Sequence, residues 1–324
     1  MPEWIMIWRW GCLLLLMLSG SCWAVCSVNT TNGALGTVTS FAVNNTVQTT
    51  SASLIVQCDK VIGLLTNDTV KLTYTGATTS ATNRAILKRS DNSSVADAIP
   101  VRLCTQAACA GNSDINIGGS YTWSGSTLLD LLVTARYTLP LYFATTTGQN
   151  VSAGPYQVTL NFSVTYNICA AGVGICLSPQ TDTVVRTLQL NLTVTNDCIT
   201  ITAPNVNFGS APLAKNFPVV AQAVAVTCTK GSSYTIGINN GSYATGTVRN
   251  MANGNNRLSY EIYKENSTNR WGSTGTERWA SSASSETSSD GLLKTYSYTA
   301  RVLPNQTTPP AGTYSDVVVV DIAF

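Results

Sequence analysis

Ten cysteines and not one histidine set the chemical limits of this 324-residue sequence. A serine or cysteine nucleophile needs a neighbouring base, ordinarily histidine, so Ser-His-Asp and Cys-His arrangements are unavailable. The chemistry left to the cysteines is pairing. Residues 1–24 read as an export leader, with Arg9 at the positive end, a short apolar run from Cys12 to Leu18, and a small-x-small cleavage site at Cys22-Trp23-Ala24. That run is shorter than the ~20 residues a membrane span requires. Cleavage after Ala24 takes Cys12 and Cys22 from the ten cysteines and leaves eight, an even number in an exported chain. Four disulfides are therefore expected, with no metal site and no cofactor. The spacing pairs Cys26 with Cys58 and Cys198 with Cys228 as two framework bridges, and Cys104 with Cys109 and Cys169 with Cys176 as clips across loops.

Two other groups of side chains could do chemistry. Glu261 and Glu265 could act as an acid–base pair, but at strand spacing both are expected on one solvated face, so an enzyme is not expected. Tyr121, Trp123, Trp271 and Trp279 could stack on a sugar. Trp271 and Trp279 lie in a Ser/Thr/Gly-rich stretch and read as core residues, whereas Trp123 beside Gly118-Gly119 stays open. A glycan pocket also wants convergent Asp, Asn or Arg groups, and none stand together in the sequence. With 18 Lys/Arg against 16 Asp/Glu and no charge run, nothing marks a nucleic-acid partner.

The elements that hold these residues follow a period of two. Tyr156, Val158, Leu160, Phe162, Val164 and Tyr166 point one way and Gln157, Thr159, Asn161, Ser163 and Thr165 the other; Leu188, Leu190, Leu192 and Val194 repeat the pattern. Only Thr127 to Val133 hints at a helical period. Short strands with Gly, Asn and Pro turns predict an all-β protein of two Ig-like sandwiches in tandem. The chain states the pattern twice: Cys26, Cys58 and the Gly154-Pro155 strand, then Cys198, Cys228 and the Gly312-Thr313 strand. The boundaries are residues 25–196 for a complete first domain and 197–324 for the second, with a short join at Thr195-Asn196-Asp197. After its long strand the first copy adds Thr187 to Val194, whereas the second stops at Phe324. The second sandwich is thus expected to lack its last strand and to be completed by another chain.

Loops are normally polar because they run over the surface. Three in the first copy are not. Residues 59–68 carry Val61, Ile62, Gly63, Leu64 and Leu65 at their centre; residues 167–179 carry Ala170, Ala171, Val173 and Ile175; and Ala34-Leu35 is a smaller case. The first two are expected to share a pole of the sandwich, exposing these side chains to a hydrophobic surface.

The doubled pattern Cys-x-Val/Ile, Phe208-Gly209, Val-x-Cys and Ala-Gly-Thr-Tyr-x-Asp-x-Val-x-Val-x-Ile-x-Phe, clearest from Ala311 to Phe324, resembles the spore-coat-U-type pilin family. Two such domains in one exported chain resemble the tip adhesins of archaic (Csu-type) chaperone–usher pili. In the first copy Gly36 stands where Phe208-Gly209 stands in the second. The resemblance implies a periplasmic pilus chaperone, an outer-membrane usher and an adjacent pilin subunit that donates a strand, a form of β-strand addition. In that assembly Val318, Val320, Ile322 and Phe324 would line the groove taken first by the chaperone and then by the donor strand. Cys26 lies two residues into the mature chain and leaves no extension to donate, so the chain is expected at the fibre tip, on the cell surface. Attachment to biotic or abiotic hydrophobic surfaces and biofilm growth is the function expected first. A lectin-like or receptor-binding tip adhesin, a non-adhesive minor pilin and a secreted matrix protein are the alternatives.

Overall fold

A computed structural model of the chain describes residues 26–59, 62–64, 67–124 and 134–324. The leader read in residues 1–24 and the helical hint at 127–133 lie outside the described residues. Among the described residues no helix is long and apolar enough to cross a membrane.

The alternation of the sequence becomes two all-β sandwiches with separate apolar cores, one drawn from residues between Cys26 and Val194 and one from residues between Cys198 and Ile322. In the first, β1 (Ser27–Thr30), β3 (Thr49–Asp59), β11 (Thr134–Thr145), β8 (Ile99–Cys104) and β7 (Arg84–Arg89) form one sheet, with β6 (Ser80–Ala81) and β9 (Asp114–Ile115) at its margin. The other sheet runs β10 (Ser120–Ser124), β5 (Thr69–Ala77), β12 (Gly154–Val173), β13 (Ile175–Thr195) and β2 (Gly33–Thr39). A short strand, β4 (Ile62–Leu64), lies beside the end of β12, and Tyr156↔Arg89 joins the sheets at a corner. Tyr156, Val158, Leu160, Phe162 and Val164 are all buried, as their period-2 spacing requires. The described residues of this repeat include a short α-helix that strand periodicity did not foresee, α1 (Ser40–Asn45), capped by the Thr39 hydroxyl on the Ala42 N–H.

The filling of this core depends on β13. It lies antiparallel to β12 and parallel to β2, with Leu190 opposite both Val158 and Gly33. Leu188, Leu190, Leu192 and Val194 enter the core, each contributing roughly 1.5–3 kcal/mol by burial.

In the second sandwich β14 (Cys198–Thr202), β15 (Val220–Cys228), β21 (Leu293–Val302), β18 (Asn256–Lys264) and β17 (Arg249–Asn253) form one sheet, with β20 (Glu286–Thr287) on β21. The other is short: β19 (Trp279–Ala280), β16 (Thr235–Ile238) and β22 (Val320–Ala323). The disulfides join Cys26 to Cys58, Cys104 to Cys109, Cys169 to Cys176 and Cys198 to Cys228.

Glu261 departs from its expected place. It is buried rather than on a solvated face, because the segment after β18 folds back and brings Arg270 Nε to 2.8 Å from its carboxylate, while Arg249 pairs with the other oxygen. Arg249 also donates to the carbonyls of Ile238, Asn239 and Trp271, so this is a structural network. Glu265 turns away in a left-handed conformation, φ 54°.

The join between the sandwiches is clamped. Asp197 exchanges two backbone-anchored bonds with Thr229, and Lys230 Nζ of the second sandwich reaches Asp97 Oδ1 of the first at 2.7 Å. Asp97 also accepts the N–H and hydroxyl of Ser152, at 2.7 and 2.6 Å. Burial works against its ionisation, but the bonds from Lys230 and Ser152 outweigh it and hold the carboxyl below its usual value. A depressed carboxyl stabilises above its ordinary pKa and loses that contribution as pH falls through the lower, folded-state value. Acidification below pH 4 is therefore expected to loosen the joint, read by small-angle scattering as a broader spread of molecular dimensions. Lys230→Met should loosen it already at neutral pH, by about 1 kcal/mol or less because the lysine is partly solvated. A variant as rigid as the wild type would show that the pair does not hold the joint.

An apolar pole and an open groove as candidate functional sites

The 167–179 connection is a hairpin whose strands run to its very tip. Cross-strand pairing continues through Gly172↔Cys176 to Val173↔Ile175, leaving Gly174 as the turn at φ +71°. A side chain at Gly172 would collide with the Ile175 carbonyl, so a glycine is required there. The Cys169–Cys176 bridge closes the base of the tip. Val173 is 64% exposed, Ile175 75% and Leu177 81%. Ala170 is buried and Ala171 half-buried, so they support this tip without presenting apolar surface.

The second apolar segment arrives beside it. β4 runs parallel to the end of β12, with Ile62 opposite Ala171, Gly63 opposite Gly172 and Leu64 opposite Val173. Val61 and Leu65 lie outside the described residues. Two strand ends also reach this pole: Ser124 pairs with Thr69 and Thr134 with Asp59. They flank residues 125–133, which lie outside the described residues.

Ala34-Leu35 does not belong here. β2 pairs with β13 at Asn191↔Ala34, and residues 157 to 173 at about 3.3 Å each put that pairing on the order of 50 Å from the tip. Leu35 is only 6% exposed and joins the first core, a correction to its reading as a surface finger. Its burial follows from β2 flanking β13, which turns one side of β2 inward. Leu177 is the residue the sequence reading left out. It is flanked by Cys176, Ser178 and Pro179, and its alternation with Ile175 along β13 was the available signal.

The three tryptophans are taken up in packing. Trp123 is buried edge-to-face against Tyr121 at 4.9 Å, and Trp271 and Trp279 lie in the second core, their indole N–H groups donating to Ile236 O and Ala283 O.

At the far sandwich the core is open along one side. A cavity of about 370 Å³ lies between the segment at residues 203–208 and the segment at residues 314–320, lined by Val206, Phe208, Val224, Ile238, Val318 and Val320. Val318, Val320 and Ile322 are half-buried against the second core, whereas Phe324 is largely exposed at the end of the groove, its ring 6.0 Å from Tyr234. Ile201, opposite buried Val226, faces the same side and is also exposed. β22 pairs with β16 at Ile238↔Val320 and Ile236↔Ile322, and Val319 O accepts from Asn239 N–H. Antiparallel alternation then turns the N–H and C=O of Val319, Asp321 and Ala323 toward β16, and those of Val318, Val320 and Ile322 toward the open side. The edge offers both apolar side chains and backbone partners.

The family model described as Spore Coat Protein U domain matches residues 14–163 and again residues 184–321. The chain belongs to the Spore Coat Protein U family. No curated protein matches it. Among solved structures, a chain of the CsuC–CsuE chaperone–tip adhesion subunit pre-assembly complex, from archaic chaperone–usher Csu pili of Acinetobacter baumannii, aligns with 93% of this chain and 100% of its own length, at 23% identity and TM-score 0.54. The CupB6 tip adhesin from Pseudomonas aeruginosa aligns with 92% of this chain and 94% of its own, at 12% identity and TM-score 0.36. In Spore Coat Protein U terms, the first matched segment ends in β12 and the second runs from the later part of β13 through the second sandwich, so the domain occurs twice. Its first copy has an apolar pole, and its second an open groove.

Proposed function

We propose that this chain is the tip adhesin of an archaic chaperone–usher pilus, attaching to hydrophobic surfaces through the pole of its first sandwich and to the fibre through the groove of its second. The contrast between the two copies carries the reading. The first sandwich is filled by its own β13, antiparallel to β12 and parallel to β2. The groove of the second is bounded by the repeat's counterparts of those two neighbours, residues 314–320 and 203–208. A strand laid antiparallel to the former and parallel to the latter would reproduce what β13 does in the first copy. The donor is an adjacent pilin subunit. A periplasmic chaperone covers the groove before assembly at the outer-membrane usher, since an uncovered apolar edge is prone to aggregate. The solved complex of a chaperone with a tip subunit supports this as a relative of the same fold.

At the opposite end, Val173, Ile175 and Leu177 form an exposed apolar cluster with no charged side chain between them in sequence. Contact with an apolar surface removes this area from water. A bundle of pili multiplies weak single contacts into firm attachment and biofilm growth. The test is retention of the full chain on polystyrene and on a hydroxylated coating, with and without added monosaccharides and salt. Retention on polystyrene alone, insensitive to sugars and moderate salt, is expected. Saturable binding inhibited by one sugar would move the assignment to a lectin.

A further inference from the structure

One buried carboxylate stands where the apolar hairpin leaves the sandwich. β12 is paired with β5 as far as Asn167↔Thr69, and from Ala171 it runs beside β4 instead. The N–H of Cys169 falls between these two ladders, at the point where the register of the hairpin shifts. It donates to Asp68 Oδ1 at 2.9 Å, so a side chain takes the place of the next strand residue. Asp68 Oδ2 accepts the Tyr137 hydroxyl at 2.8 Å. All three residues are buried, Asp68 at 6% exposure. Burying a carboxylate is costly unless its oxygens are satisfied, and a bond to it is stronger than one between neutral groups. The grip joins three parts of the pole: Asp68 ends the segment that contains β4, Cys169 opens the disulfide-closed tip, and Tyr137 stands near the start of β11.

We propose that Asp68 is a positioning residue, whose carboxylate clamps the base of the hairpin and fixes the direction in which Val173, Ile175 and Leu177 are presented. Its part in adhesion rests on the surface-binding reading above; the clamp itself does not.

The test uses the full chain as wild type, Asp68→Ala, Asp68→Asn and Tyr137→Phe. Asparagine keeps a neutral acceptor for the Cys169 N–H and offers its amide to the Tyr137 oxygen, so it should fall between the wild type and Asp68→Ala. Alanine should speed amide exchange of residues 168–176 by about tenfold to a hundredfold. It should also speed reduction of Cys169–Cys176 by dithiothreitol, while amides of Val158 to Val164 and the Cys26–Cys58 bridge keep wild-type rates. Should alanine unfold the domain, Tyr137→Phe carries the same local readout with a smaller rise. Unchanged hairpin exchange, or equal acceleration in hairpin and core, overturns the proposal. Retention on polystyrene, measured on the same samples, is read separately. A loosened hairpin with weaker retention supports the positioning role in adhesion. A loosened hairpin with full retention overturns that role and leaves the clamp standing; the surface-binding reading itself falls only if charging Val173, Ile175 and Leu177 leaves retention unchanged.

Discussion

Replacing Val173, Ile175 and Leu177 together with aspartate is expected to abolish retention on polystyrene while leaving the unfolding curve of the protein unchanged. All three side chains are mostly in water already, so charging them disturbs little of the core; surface changes of this kind usually stay within about 0.5 kcal/mol each. Against an apolar surface the balance reverses. Each carboxylate must give up hydration for a surface that offers no partner, and each lost aliphatic removes on the order of 1 kcal/mol of contact, about fivefold in retention per residue. Leu177→Asp alone is the sharpest single substitution, because that side chain is the most exposed of the three. Full retention by a folded triple variant would remove the pole from the binding surface. A collapsed melting curve would show that the hairpin belongs to the core.

A strand fused after Phe324 through a flexible linker, repeating the alternation of Thr187 to Val194, is expected to close the second sandwich and raise its unfolding temperature by at least about 10 °C. In the first copy Leu188, Leu190, Leu192 and Val194 fill the place between β12 and β2. Four such side chains in the groove would contribute roughly 6–12 kcal/mol before the ordering of strand and linker is subtracted. Main-chain bonds to the free edge at Val318, Val320 and Ile322 would add to this. The control carries aspartate at the two central inward positions and should give no gain. Equal midpoints for fusion and control would mean that the groove does not accept a strand.

The sandwiches, both framework disulfides and the open edge at Val318 to Ile322 were legible because strands advertise themselves by period two and the chain repeats itself. Tyr156 to Val164 alternate in sequence and are buried in alternation for the same reason. Leu35 was misplaced because an isolated aliphatic beside glycines carries no period, and only the pairing of β2 with β13 shows which way it faces. Glu261 misled for a related reason: strand spacing gives a face but not what folds over it, and Arg270 is delivered by a later segment. Asp68 closes the stretch 59–68 that read as an apolar surface loop. Tyr137 and Cys169, which it binds, are remote in sequence, and neither spacing nor composition links them to it. Residues 169–177 looked like a loop because glycines and cysteines outnumber β-branched residues there, yet the glycines are what let the strands run to the tip.

The most direct test of the proposal that the chain binds surfaces at one end and a fibre at the other is a side-chain footprint of the bound state. The full chain, its groove closed by the fused strand, would be adsorbed on alkyl-coated particles and labelled with hydroxyl radicals, beside the same protein free in solution. Protection confined to Val173, Ile175 and Leu177, with Val317, Val319 and Leu213 of the second sandwich labelled as in solution, is the expected result. Protection of the second sandwich, or of both ends alike, would contradict the assignment of adhesion to the pole.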